Sequence, residues 1–154
     1  MRPEGLATRL LHLACVKTPN PDGTKRPPTH RILLLDDETP ILIPMARYFT
    51  KLGFTVDMAS EAEEAEALIS HRRYDLAILD LRLTKFSDSA GLTVLQEIRK
   101  RDHQTSVIIL SAYASQAVEE EAARLGADAV LRKPQPLPEL AQIALALMGA
   151  GAGA

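Results

Sequence analysis

From His30 onward the chain alternates short apolar runs with stretches in which apolar side chains recur every three or four residues. Five runs stand out: Ile32 to Leu35, Phe54 to Met58, Leu76 to Leu79, Val107 to Leu110 and Ala129 to Leu131. Brief apolar runs with β-branched side chains suit strands buried on both faces of a parallel sheet. The stretches between them have helical period. Ser60 with Glu63 makes a capping-box pattern, after which Ala62, Ala65, Leu68 and Ile69 fall on one face. Leu92, Leu95 and Ile98 mark a third helix, and Leu137, Leu140, Ile143, Ala144 and Leu147 mark the last. The segment from Ser115 to Leu125 has few large apolar residues and the acidic run Glu119, Glu120, Glu121, so its helix is expected to pack weakly. In the first helix Pro40 suits the opening turn and Gly53 a C-terminal cap. Pro44 removes a backbone donor from its interior, which predicts a kink or a late start.

Five strand–helix units in this order predict an α/β fold. Right-handed crossovers wind them into a doubly wound parallel sheet covered by helices on both faces. Residues 30–148 form that domain. Residues 1–29 read as an extension: a short helix from Glu4 to Val16, then a linker carrying Pro19, Pro21, Gly23, Pro27 and Pro28. Residues 149–154 read as a flexible tail.

Composition narrows the function. The 154 residues are enough for one domain. The formal charge is -2, but residues 1–29 hold five Lys or Arg against Glu4 and Asp22, leaving 13 basic and 18 acidic side chains beyond. An acidic domain argues against a nucleic-acid partner. Cys15 is the only cysteine, which excludes an intrachain disulfide, and His12, His30, His71 and His103 are too scattered for a zinc site. No apolar run approaches the ~20 residues that span a bilayer. Arg9 and His12 interrupt the region that would serve as a signal peptide. A cytoplasmic protein with no membrane partner is expected.

In open parallel sheets, ligands bind beyond the carboxyl ends of the strands. After the first run come Asp36, Asp37 and Glu38; after the third, Asp80; after the fourth, Ser111; after the fifth, Arg132, Lys133 and Pro134. Crowded carboxylates repel one another unless a cation joins them, and Mg²⁺ combines one or two carboxylates with waters and phosphate oxygens. The hydroxyl and the ammonium then suit an anion beside the metal, with one carboxylate as the acceptor in aspartyl-phosphate chemistry. Each signal alone has a plainer reading. Paired acids often just open a helix, and a lysine after a strand is usually a solvated charge.

Four segments together carry a resemblance: residues 31–38 (RILLLDDE), 74–81 (YDLAILDL), 107–112 (VIILSA) and 127–134 (ADAVLRKP). Over Arg31 to Met148 the chain resembles the response-regulator receiver family of two-component signalling, in particular its single-domain, chemotaxis-type members. The resemblance implies a flavodoxin-like (βα)5 fold with strand order 2-1-3-4-5. It implies that Asp36 and Asp37 hold Mg²⁺ together with Asp80, the phosphoacceptor, and the main-chain carbonyl of Arg82. It also implies Ser111 as the switch hydroxyl, Lys133 as the partner of the phosphoryl group, and a cis Lys133–Pro134 bond. The expected phosphodonor is a sensor histidine kinase or a phosphotransfer protein. The signal is expected to leave through a downstream effector at the helix 4–strand 5–helix 5 face, or through a homodimer. The protein is then a switch that catalyses only its own phosphorylation and slow hydrolysis, and 154 residues leave no room for a DNA-binding output domain. Arg82 and Tyr113 flank the implied site. The sequence departs from the family in two places: the segment from Asp80 to Gly91 is long and has Thr84 where proline is common, and Val130 replaces a switching aromatic residue. Two other readings are a constitutive docking module, which intact Asp80, Ser111 and Lys133 oppose, and an aspartate-nucleophile phosphohydrolase, which lacks a substrate-covering cap.

Overall fold

A computed structural model of the chain describes residues 30–81, 90–113 and 115–152. Strands β1 (Arg31–Leu35), β2 (Thr55–Ala59), β3 (Leu76–Asp80), β4 (Ser106–Ser111) and β5 (Ala129–Arg132) alternate with helices α1 (Thr39–Lys51), α2 (Ala62–His71), α3 (Ala90–Arg101), α4 (Gln116–Arg124) and α5 (Leu137–Ala152). All strand pairs are parallel, and the sheet order is β2-β1-β3-β4-β5. This is the order that the resemblance implies. Among the described residues no helix is long and apolar enough to cross a membrane.

The sheet divides the interior into two cores, and alternation along each strand decides which side chain joins which. Ile32, Leu34, Leu76, Ile78, Ile108 and Leu110 face α1 and α5, where they meet Phe49, Leu140 and Ala144. Leu33, Leu35, Ala77, Leu79, Val107 and Ile109 face the other helices, where they meet Ala65, Ile69, Val94, Leu95 and Ala122. Central β3 is buried along its whole length, whereas β5, at an edge, is half-buried and ends exposed.

The helix ends explain where the sequence reading shifts. Gly53, at φ 99°, closes α1: its N–H donates to the Thr50 carbonyl and the Phe54 N–H to the Phe49 carbonyl. This is a Schellman closure, which requires a left-handed residue after the helix. It consumes the Phe54 donor, so β2 begins at Thr55 rather than at Phe54. Pro44 lies inside α1 without delaying it, because the helix starts at Thr39 with Pro40 in its first turn. The capping box at Ser60 does not form. Glu61 is the N-cap of α2, and the Ser60 hydroxyl donates instead to Glu64 at 2.9 Å. Helix α5 runs on to Ala152, four residues past the boundary expected at Met148; alanine, the best helix former, carries it through the glycines. The extension, residues 1–29, and the loop through Thr84 lie outside the described residues.

Edge strand β2 is fastened to the turn before β3 through Asp57. Its carboxylate accepts from the Tyr74 hydroxyl at 2.7 Å and from Arg72 at 3.0 and 3.2 Å, with Arg31 at 3.6 Å. Burial pushes the Asp57 carboxyl up, but these donors and cations outweigh it and hold the group below its ordinary value. A depressed folded-state pKa stabilises the fold above the unfolded value and is lost as pH falls through the folded one. Asp57→Asn is therefore expected to lower the melting midpoint at pH 7 by a few degrees, about 1 kcal/mol. Calorimetry should show that gap closing as the pH is taken below the ordinary aspartate value of 3.8; a gap that persists in acid would exclude the ion cluster as its source.

Candidate functional site

Three charged residues reach one rim because the strands' period of two carries on past their apolar stretches. Asp36 continues the face of Ile32 and Leu34, Asp80 that of Leu76 and Ile78, and Lys133 that of Leu131. All three therefore emerge at the carboxyl edge of the sheet on the side of α1 and α5. Arg132, one residue out of phase with Lys133, is exposed.

The Lys133 ammonium joins the other two. Its Nζ lies 2.8 Å from Asp36 Oδ2 and 3.0 Å from Asp80 Oδ2, with side-chain exposures of 12%, 4% and 5%. Burial pulls the lysine pKa down, but hydrogen bonds to Asp36 and Asp80 and their charges outweigh it, so the pKa is raised above the ordinary 10.5. The ammonium is thus charged at neutral pH. Its stabilising contribution is complete below pH 10.5 and is lost only as the pH rises through the higher folded-state value.

Local backbone fixes each member. Asp36 Oδ1 accepts from the Glu38 N–H at 2.9 Å, a turn that aspartate makes with its own chain, and its N–H donates to the Ala59 carbonyl at 3.1 Å. Asp80 is held in the central strand, where the next N–H, of Leu81, donates to the Leu110 carbonyl at 2.9 Å. The Lys133 N–H donates to the Ser111 carbonyl at 2.8 Å, tying the start of the β5–α5 turn to the end of β4. The peptide bond from Lys133 to Pro134 is cis.

Ser111 is buried at the same edge, but it follows the opposite alternation, that of Val107 and Ile109. Its Oγ accepts from the Tyr113 N–H at 3.1 Å, and the Tyr113 side chain is 90% exposed. Asp37 is exposed and its carboxylate stays in the acidic group: ligand oxygens of Asp36, Asp37 and Glu38 lie within 4.8 Å of one another. Glu38 was visible in the sequence as the third acid after β1, but the resemblance singles out only the first two. Arg82 lies outside the described residues. Val130 is half-buried against the core of α2, α3 and α4.

Among the described residues, four carboxylates, Asp36, Asp37, Glu38 and Asp80, thus share a rim with the Lys133 ammonium. The excess is negative, the donors are hard oxygens, and two of the carboxylates are buried. Such a set fits a small divalent cation and offers little to a soft metal.

The sequence profile of the response regulator receiver domain matches residues 32–145. The photosynthetic apparatus regulatory protein RegA of Rhodobacter capsulatus is 30% identical over 115 residues, which are 75% of this chain and 61% of that protein. The acid tolerance regulatory protein ActR of Rhizobium meliloti is 37% identical over 107 residues, 70% of this chain and 54% of that protein. The chain thus spans little more than half the length of these curated relatives. Among solved structures, a CheY-like response regulator receiver domain protein from Methanospirillum hungatei JF-1 superposes with a TM-score of 0.76 at 26% identity, covering 81% of this chain and 98% of that one. A response regulator protein from Burkholderia pseudomallei, solved with a phosphorylated aspartic acid, a calcium ion and citrate, superposes with a TM-score of 0.68 at 26% identity, covering 80% of this chain and 72% of that one.

The ion triad makes a direct prediction. Lys133→Met keeps most of the stem and leaves two buried carboxylates without their cation, so it should lower stability by roughly 3–5 kcal/mol in urea unfolding at neutral pH. An unchanged urea midpoint would mean that the ammonium does not hold the pair together.

Proposed function

The chain belongs to the response regulator receiver domain family, and on that premise we propose that it takes up a phosphoryl group on the Asp80 carboxylate in a Mg²⁺-dependent reaction and switches a binding surface in response. The observation that carries this reading is the buried contact of Lys133 with both Asp36 and Asp80, at 2.8 and 3.0 Å. A nucleophilic carboxylate, an acidic neighbour and a fixed cation stand together at the edge of the sheet.

Each residue then has a task. A carboxylate oxygen of Asp80 attacks the phosphorus of a phosphohistidine on a sensor kinase or phosphotransfer protein. The new oxygen–phosphorus bond forms as the phosphorus–nitrogen bond breaks, and the imidazole leaves with the electron pair. Hydrolysis returns the free carboxylate and releases inorganic phosphate. Asp36, Asp37 and Asp80 are the residues that would hold Mg²⁺, with the Arg82 carbonyl as the family's further ligand; when bound, the ion neutralises charge on the transferred oxygens. Glu38 lies close enough to Asp36 and Asp37 to add to the field that attracts it. The Lys133 ammonium exchanges its carboxylate contacts for the phosphoryl oxygens. Ser111 hydrogen-bonds one of those oxygens through its hydroxyl proton, which its bond from the Tyr113 N–H leaves free, since a hydroxyl both donates and accepts. The Burkholderia structure, solved with a phosphorylated aspartic acid and a calcium ion, supports acceptor chemistry on an aspartate and is compatible with a divalent cation.

The output surface in this reading is the face of α4, β5 and α5. Helix α4 has one buried residue, Ala122, and β5 is only half-buried, so this side of the sheet is the easier one to shift. A partner protein there, or a second copy of the chain, reads the change.

Incubation with acetyl phosphate and Mg²⁺ should add the mass of one phosphoryl group to the wild-type chain. Chelation of the metal should prevent it, and so should Asp80→Ala; labelling that survives this substitution refutes the assignment. Beryllofluoride with Mg²⁺ should alter amide exchange across residues 115–125. If protection there stays the same in a protein that demonstrably binds the mimic, α4 is not part of the switch.

A further inference from the structure

Gly91, the second residue of α3, is buried, and its φ does not lie in the left-handed region where glycine is required. Backbone conformation therefore does not explain a glycine here; the space around it does. A Cβ at this position would stand 2.4 Å from the Asp80 carbonyl oxygen, 2.9 Å from Leu81 Cα and 3.0 Å from the Asp80 carbonyl carbon. All three are main-chain atoms, so no rotamer change relieves the clash. The Gly91 N–H also donates to the Leu81 carbonyl at 3.1 Å, which seals the contact from the other side.

We propose that Gly91 is a positioning residue for the phosphoacceptor: its missing Cβ lets the first turn of α3 close onto the main chain of Asp80 and Leu81 and so fixes where the Asp80 carboxylate stands. This rests on Asp80 being the acceptor. The two partners in the contact are not held equally firmly. Helix α3 is anchored by Val94, Leu95 and Ile98, which are 0%, 0% and 4% exposed. Strand β3 pairs on both sides, and Asp80 sits opposite Leu110 at its last paired position. An added methyl must widen the gap to Asp80 from 2.4 Å to an ordinary contact of 3.4 Å or more, and the end of β3, paired on fewer sides than its middle, gives way first. The Asp80 carboxylate then leaves its place beside Lys133 and Asp36.

The test compares the full-length wild type with Gly91→Ala and Val94→Ala, the latter weakening the same helix from a position in the apolar core. Phosphoryl uptake from acetyl phosphate is followed by intact mass across a Mg²⁺ series, at a temperature where circular dichroism shows each protein folded. A misplacement of about 1 Å at a reacting group costs up to roughly 100-fold in rate. Gly91→Ala is therefore expected to take up phosphoryl groups about 10- to 100-fold more slowly and to need more Mg²⁺ for half its maximal rate, with Val94→Ala within about twofold of wild type in both. Uptake by Gly91→Ala at the wild-type rate and Mg²⁺ midpoint overturns the proposal, and so does an equal loss in Val94→Ala. A Gly91→Ala chain that stays unfolded even in added sucrose also overturns it, because the glycine would then serve the whole fold. If the wild type itself gains no phosphoryl mass on Asp80, the reading of the site fails, and the role of Gly91 fails with it.

Discussion

A single ammonium between two buried carboxylates is the constraint that the rim of this sheet is built around. Two carboxylates with side-chain exposures of 4% and 5% both lie against the Lys133 ammonium, which offsets their mutual repulsion. Its position depends on long-range order, because it lies 97 residues from Asp36 in the chain. β1 must deliver one carboxylate, β3 the other and the end of β5 the lysine, all at one level and one phase. The apolar interior of the sheet and the chemistry at its edge are therefore one arrangement. A register slip of one residue in β1 or β5 would point the charge at the wrong core.

That dependence explains why so much was legible in the sequence. Short apolar runs give strands, and the side chain two places beyond a buried one lies on the same face. Asp36, Asp80 and Lys133 each follow an apolar run, which is enough to place them at one edge of a parallel sheet. Ser111 shows the limit of the same rule: it reaches the rim in the other phase, so its present partner is the Tyr113 N–H rather than an acidic side chain. What the sequence hid lies in local hydrogen bonding. The Schellman closure at Gly53 took Phe54 out of β2, and Ser60 turned to Glu64 where a capping box with Glu63 had been the pattern. The close approach at Gly91 was equally hidden, because it involves main-chain atoms and leaves no side-chain signature.

The excess of carboxylates gives the site two opposed requirements. Approach of a phosphoryl group, itself anionic, to four carboxylates is unfavourable without added positive charge, and Lys133 alone is already shared between two of them. A divalent ion held by Asp36, Asp37 and Asp80 would supply that charge. In the proposed reaction the contacts that Lys133 makes with Asp36 and Asp80 are those it must give up.

How the change travels outward depends on what stands behind Ser111. Val130 offers a stiff, compact side chain where a large ring would swing, so this chain has little to turn at that position. The Tyr113 N–H, by contrast, is bonded to the very oxygen that the phosphoryl group would draw inward. Two residues further on, Ser115 caps α4 by accepting from the Val118 N–H at 3.3 Å. Ser111 thus stands close in the chain to the cap of the helix with one buried residue, Ala122. Both bonds join a serine hydroxyl to a main-chain N–H, and neither involves an aromatic ring.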